Sequence, residues 1–249
     1  MCGRYSLTTR GTDLAAAFEI IDVVDVDWGE EGASVEARLT QMPSRYNVAP
    51  TQRMPVVQAD RRADRGGQRV LTDMRWGLVP PGAPDLKVGA RMINSRSETA
   101  HRLPAFRRAF REQRCIVPAD GWYEWTKRDK VKDPWRFTRP DNRPFAMAGL
   151  FEEWRSKDGV LVRTFSVLTT EALPWAADIH HRMPVLLPSE SYDGWLDPDQ
   201  RDPEVVKQLI MPWAGSAFAV EPVSHAVNRV ANDGLECLGP RAVQQSLFD

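Results

Sequence analysis

The sequence is poor in the residues that most often announce a chemistry. Of 249 residues, only three are cysteine and four are histidine. Cys2, Cys115 and Cys237 are odd in number and far apart, which excludes a disulfide framework and a zinc knuckle. There is no GxSxG elbow, phosphate-cradling glycine loop, HExxH or CxxC, so the common hydrolase, nucleotide and zinc signatures are missing. No apolar run approaches the roughly 18 to 20 residues that cross a bilayer, and the N-terminus has no charged stretch followed by an apolar one. These absences set the expectation of a cytoplasmic chain without membrane contact, metal or other cofactor. An excess of one charge is also lacking: 33 Lys and Arg stand against 34 Asp and Glu. The net charge of -1 excludes a general attraction to nucleic acid and leaves local patches to supply any.

What is present suffices for one large core, since 42% of residues are hydrophobic and no Pro/Gly/Ser-rich linker divides the chain. The expected organisation is one domain over residues 2–230 and a C-terminal tail over 231–249, frayed from Gly239 onward. Tyr5 and Leu7 alternate with Arg4 and Ser6, as in a short strand. Thr12-Asp13 can cap a helix running from Asp13 to Ile21, with Leu14, Phe18 and Ile21 at helical spacing. Residues 22–40, rich in Asp and Glu, read as an acidic surface insertion. Beyond Pro43 the chain breaks into β-rich runs: Met54–Ala59, Val70–Val79, Cys115–Val117, Gly121–Thr126, Phe145–Phe151, Leu161–Thr170, Met183–Leu187 and Ala217–Val223. Asp60–Gln68 reads as a hairpin loop. Helices are expected over Pro104–Arg111, Glu171–Ala177, Ser189–Leu196 and Pro203–Ile210. Without a regular βαβ alternation, the pattern predicts an α+β fold, a mixed, curved, barrel-like β-sheet core with peripheral helices.

Four segments carry possible chemistry, each with a plain structural alternative. Removal of Met1 would leave Cys2 with an amine and a thiol on adjacent carbons, a pair that condenses with an aldehyde to an imine and then a five-membered thiazolidine. The amine titrates at about 7.7 to 8.0 and the thiol at about 8.5, so nucleophile is available near neutrality; a cysteine at position 2 can also be incidental. Asn94 and Arg96, two apart on an extended segment, share a face, where an amide can sit beside a reactive group and a guanidinium can grip an anion. A polar loop entering a helix near Ser97 is the alternative. Glu124 alternates with aromatics in Gly121-Trp122-Tyr123-Glu124-Trp125, where partial desolvation would make it a proton carrier, or else it faces solvent from an edge strand. His180 and His181 point apart on an extended chain, which suits one acid/base imidazole and one surface imidazole better than a shared metal, or a surface pair without chemistry. Arg102, Arg107, Arg108, Arg111 and Arg114 form a local cationic run that suits phosphate or simply solvates a helix face. Trp76 can stack on an unpaired base or lie in the core.

Taken together and in order, Met1-Cys2-Gly3-Arg4-Tyr5, Arg45-Tyr46-Asn47-Val48-Ala49-Pro50, Arg75-Trp76-Gly77-Leu78-Val79-Pro80, Ile93-Asn94-Ser95-Arg96-Ser97-Glu98-Thr99, Asp120-Gly121-Trp122-Tyr123-Glu124-Trp125 and His180-His181-Arg182-Met183-Pro184 resemble the SRAP family. These are the SOS-response-associated peptidase proteins that shield abasic sites in single-stranded DNA covalently. The likeness extends to about Asn228. It implies Cys2 as the nucleophile that forms a thiazolidine with the ring-opened sugar, Asn94 holding amine and sugar, Glu124 moving protons, and His180 as acid/base in ring opening and in crosslink formation or reversal. It implies phosphate contacts from Arg4, Arg96 and Arg182, and a base-splaying loop of Asn47 and Pro50 with Trp76. The implied setting is DNA repair by a monomer that is nucleoid-associated when bound to DNA. The family's name also carries a second reading, a cysteine-dependent peptidase acting on its own N-terminus or on peptides. A non-covalent single-strand binder is the third.

Overall fold

In the central strands the burial pattern loses its alternation, and that fixes the architecture. Residues 114–119 are buried without exception, and so are residues 54–59 and 145–152. Strands covered on both faces need a closed or sandwiched sheet. The computed structural model describes residues 2–62, 66–128 and 131–241. Its strands are β1 (Tyr5–Leu7), β2 (Ile20–Val24), β3 (Arg45–Val48), β4 (Arg53–Ala59), β5 (Arg69–Trp76), β6 (Asn94–Arg96) and β7 (Arg114–Ala119), then β8 (Gly121–Arg128), β9 (Val131–Thr138), β10 (Phe145–Arg155), β11 (Leu161–Glu171), β12 (Arg182–Pro184), β13 (Leu186–Leu187) and β14 (Ala219–Pro222). In the larger sheet β5, β4, β7, β10 and β11 run in sequence, and β11 returns to pair in parallel with β5 at Thr164↔Arg75 and Phe165↔Trp76. That pairing closes a five-stranded barrel, as the barrel-like α+β reading of the sequence requires. A second sheet has the order β14-β9-β8-β1-β3.

Gly149 shows how tightly the barrel is filled: a Cβ there would stand 2.7 Å from the Cys115 sulfur. The second sheet packs through an aromatic cluster in which Trp122 stacks on Phe137 at 4.6 Å and meets Phe145 and Phe218 edge-on or tilted. The two sheets are joined where β7 runs into β8 through Asp120. That carboxylate accepts hydrogen bonds from the Thr9 amide at 2.9 Å and from the hydroxyls of Thr8 and Thr9, and so latches the end of β1.

Several sequence expectations need correction. The first helix is Gly11–Phe18 and stops at Glu19, whose φ is +52°. The β-branched Ile20, Ile21, Val23 and Val24 follow it as a strand parallel to β5. Residues 22–40 are therefore not a mere surface insertion. They contribute β2 and a helix at Val35–Thr40 with buried Leu39, and their acids pair with basic partners, Asp22 with Arg62 and Asp25 with Arg163. The other expected helices are shorter, at Arg107–Glu112, Pro174–Ala177, Tyr192–Leu196 and Pro203–Gln208, and β9 lay in no expected run. Part of the expected tail is folded: Cys237 is fully buried, Val223 bridges Pro240, and Asp233 caps β3. Residues 242–249 lie outside the described residues, as do residues 63–65 of the expected hairpin loop between β4 and β5.

Candidate functional site

The position of Cys2 follows from the register of β1. Tyr5 lies opposite Trp122, and the Tyr123 amide donates to the Arg4 carbonyl at 3.0 Å. Continuing that antiparallel register brings the chain start alongside Glu124. From the barrel side, β6 runs parallel to β11 with Asn94 beside Val167, and the Asn94 Nδ2 donates to the Cys2 carbonyl at 2.8 Å. The Asn94 Oδ1 is buried without a hydrogen-bond partner, an acceptor of the kind that is costly to leave unused.

Burial sets the protonation of the groups around this point. Cys2 is 0% exposed, and desolvation, reinforced by the Glu124 charge, pushes its thiol well above the ordinary range. Glu124 is 3% exposed, and desolvation raises its carboxyl to about 7. His180 follows the Pro174–Ala177 helix and is half-buried; burial lowers its pKa, so the imidazole is neutral near pH 7. Its Nδ1 lies 2.9 Å from the Arg182 amide and 3.1 Å from the Arg182 carbonyl, which fixes the orientation of the ring. His181 is exposed and stacks on His180.

Arg4, Glu124 and His180 line one cavity of about 460 Å³ together with Gly3, Trp125, Lys127, Lys132 and Asn228. Arg4 is held by the Asn47 Oδ1 at 2.7 Å and the Val227 carbonyl at 2.9 Å, with its guanidinium over the Trp125 ring. The Trp125 indole donates to Asn228 Oδ1 at 2.6 Å. Arg96 lies exposed, two residues beyond Asn94.

Four residues expected at this site are placed otherwise. Trp76 is fully buried, stacked on Phe165 and donating to the Ile93 carbonyl at 2.9 Å, so it belongs to the barrel core and presents no stacking face. Asn47 is also buried; its amide donates to the Val227, Arg229 and Asn232 carbonyls, and it acts by fixing Arg4. Arg182 is forked by Glu98 at 2.7 and 2.9 Å and is nearly buried, so its charge is already matched. Pro50 is half-buried outside the cavity lining. The arginine run is dispersed as well: Arg108 pairs with Glu152, and buried Arg114 donates to carbonyls of Phe110, Arg111, Trp195, Asp197 and Gln200. Sequence reasoning did not single out Lys127, Lys132 or the Asn47 and Asp233 clasp. Lys127 had a signal, since it continues the alternation of Trp125 along β8.

Fold and site define a β-rich α+β domain in which buried Cys2 is bonded by the Asn94 amide and adjoins a cavity lined by a carboxyl and an imidazole. The model of the family described as SOS response associated peptidase (SRAP) matches residues 1–230, and the chain belongs to that family. It is 38% identical to the abasic site processing protein YoaM of Bacillus subtilis (strain 168) over 239 residues, 96% of this chain and 97% of that protein. It is 33% identical to the abasic site processing protein HMCES of Gallus gallus, covering 96% of this chain and 78% of that one. A crystal structure of a protein from Bacteroides thetaiotaomicron shares the fold with a TM-score of 0.79 at 23% identity, over 97% of this chain and all of that one.

Proposed function

We propose that this protein captures abasic sites in single-stranded DNA by forming a thiazolidine between the deoxyribose aldehyde and Cys2, once Met1 has been removed. The observation that carries the reading is the amide of Asn94 gripping the carbonyl of buried Cys2 at 2.8 Å, next in sequence to Gly3 of the cavity that Glu124 lines. Abasic site processing is the named role of relatives that match the chain along nearly its whole length.

The chemistry balances without a co-reactant. The Cys2 amine adds to the aldehyde carbon to give a carbinolamine, which loses one water to become an imine. The sulfur then adds to the imine carbon as its proton passes to nitrogen, closing the ring. With a carboxyl pKa of about 7, Glu124 is divided between acid and base near neutrality. The acid form protonates the departing hydroxyl, and the carboxylate relays the thiol proton to the imine nitrogen. The unused Oδ1 of Asn94 accepts from the new amine and aims its lone pair at the sugar. The His180 imidazole hydrogen-bonds the sugar ring oxygen during opening. Arg4 and Arg96 hold backbone phosphates.

The raised thiol pKa favours this order over the peptidase reading, because a neutral thiol is a poor opening nucleophile whereas an amine can begin the reaction. Intact-protein mass spectrometry with a single-stranded oligonucleotide bearing one abasic site tests the proposal. The expected product lacks Met1 and carries the oligonucleotide mass less one water. It should form with the wild type and not with Cys2→Ala or with undamaged DNA. An adduct that retains Met1, or cleavage of peptides with no adduct, would overturn it.

A further inference from the structure

The rim of the Cys2 cavity carries a charge arrangement that the capture chemistry leaves unused. Lys127 on β8 and Lys132 on β9 lie directly opposite in the antiparallel register. Both line the cavity, and both are exposed. Side chains opposed in this way have Cβ atoms about 5 Å apart, and like charges so placed destabilise the strand pair. Among the described residues neither lysine has an ion-pair or hydrogen-bond partner for its ammonium. Asp133, next to Lys132 in the sequence, is engaged by His225 at 2.9 Å and by Arg241. Glu124, the one carboxyl in the cavity lining, is buried. Asn228 fixes the hairpin against the closing segment by donating to the Lys132 carbonyl at 3.1 Å while accepting the Trp125 indole proton. The two lysines are therefore carried on an anchored rim, and among the described residues no carboxylate pairs with either.

We propose that Lys127 and Lys132 form a phosphate station, a cross-strand pair that a DNA backbone phosphate bridges when the strand enters the cavity. The station rests on the reading that single-stranded DNA is the partner. It adds a binding site distinct from Arg4 and Arg96. The bridging anion relieves the repulsion between the lysines, so the pair trades a little stability of the free protein for binding. The same residues thus carry two opposite expectations: removing the charges should weaken DNA binding and should stabilise the hairpin.

The test is the salt dependence of binding an undamaged single-stranded oligonucleotide, measured by fluorescence anisotropy for the wild type and Lys127→Gln/Lys132→Gln, with thermal melting of both without DNA. Each phosphate contact contributes a slope of about 0.7 in log K against log salt for single strands, so the double variant, which gives up the one bridged phosphate, should lose about 0.7 from the slope. Its melting temperature should hold or rise. Lys127→Glu, which creates an ion pair with Lys132, should raise the melting temperature further and weaken binding at least as much. A wild-type slope retained in the double variant would overturn the station while leaving the DNA reading intact. A fall of several degrees in melting temperature would overturn it too, since the lysines would then be structural. Absence of wild-type binding would overturn both the station and the reading beneath it.

Discussion

Two buried carboxyls, Glu124 and Glu152, divide the molecule into parts that treat charge differently. Glu124 is 3% exposed on the small sheet and Glu152 is 1% exposed on the barrel, and burial raises both pKa values. Glu152 is answered by the Arg108 guanidinium and by Gln113 Nε2 at 2.8 Å. Among the described residues no guanidinium bonds Glu124, which faces the Cys2 end of the chain instead. The barrel repeats its own rule at Arg114, surrounded by carbonyl oxygens, and at Arg182, matched by Glu98. Charge in the barrel is compensated and fixes geometry. The Glu124 carboxyl, raised by burial to about 7, titrates near neutrality, as acid/base work requires.

Breaking a compensated group should cost stability, and Arg114 offers the largest such effect. Arg114→Met strips five backbone carbonyls of their donor in a buried setting. The expected loss is about 3 kcal/mol or more, since each buried acceptor left unpaired carries its desolvation cost. That corresponds to a fall in melting temperature of roughly 6 to 12 °C for a domain of this size. A melting temperature within about 2 °C of wild type would show the cation to be dispensable and would weaken the contrast.

Next in size is the pair of amide substitutions that sets the two carboxyls side by side. Glu124→Gln should slow adduct formation by about 100-fold or more, the ordinary contribution of a placed proton carrier, while the protein melts no lower than wild type. Glu152→Gln should do the reverse, costing about 1 to 2 kcal/mol of stability through the charged hydrogen bonds lost to half-exposed Arg108. Single-turnover rates and melting curves for both proteins decide the matter. If the two substitutions lower rate and stability in the same proportion, the division drawn here is wrong.

How much of this could be read from residues depends on the range over which each signal acts. The central strands were legible because runs such as Phe145 to Phe151 are apolar on both faces, and the helical pattern at Leu14 and Phe18 is local. The closure of β11 onto β5 was not, since a parallel contact between Phe165 and Trp76 has no local signature. Among the site residues, those with a distinctive chemistry, Cys2, Asn94, Glu124 and His180, stood out. Residues whose chemistry depends on a distant partner did not sort themselves. Asn47 and Arg182 are polar and looked available, yet Val227 and Glu98, 180 and 84 positions away, consume them. Trp76 is equally ambiguous, because burial and not residue type decides whether an indole stacks on a base or on Phe165.

The smallest expected effect sharpens the comparison most, because it reads the titration of Glu124 through stability alone. Its carboxyl titrates near 7 in the folded chain and near 4.5 when unfolded. Between these values the folded state holds the proton more tightly than the unfolded state, so stability falls as pH rises, the opposite sign from a salt-bridged carboxylate. One such group lowers stability by about 1 kcal/mol between pH 5.5 and 6.5. Chemical denaturation of wild type and Glu124→Gln at those two pH values isolates the group, with the variant expected to show the shallower decline. The rate of adduct formation should pass through the same titration, since the acid form serves water loss and the carboxylate serves thiol deprotonation. A decline identical in both proteins would mean that Glu124 ionises as an ordinary carboxylate.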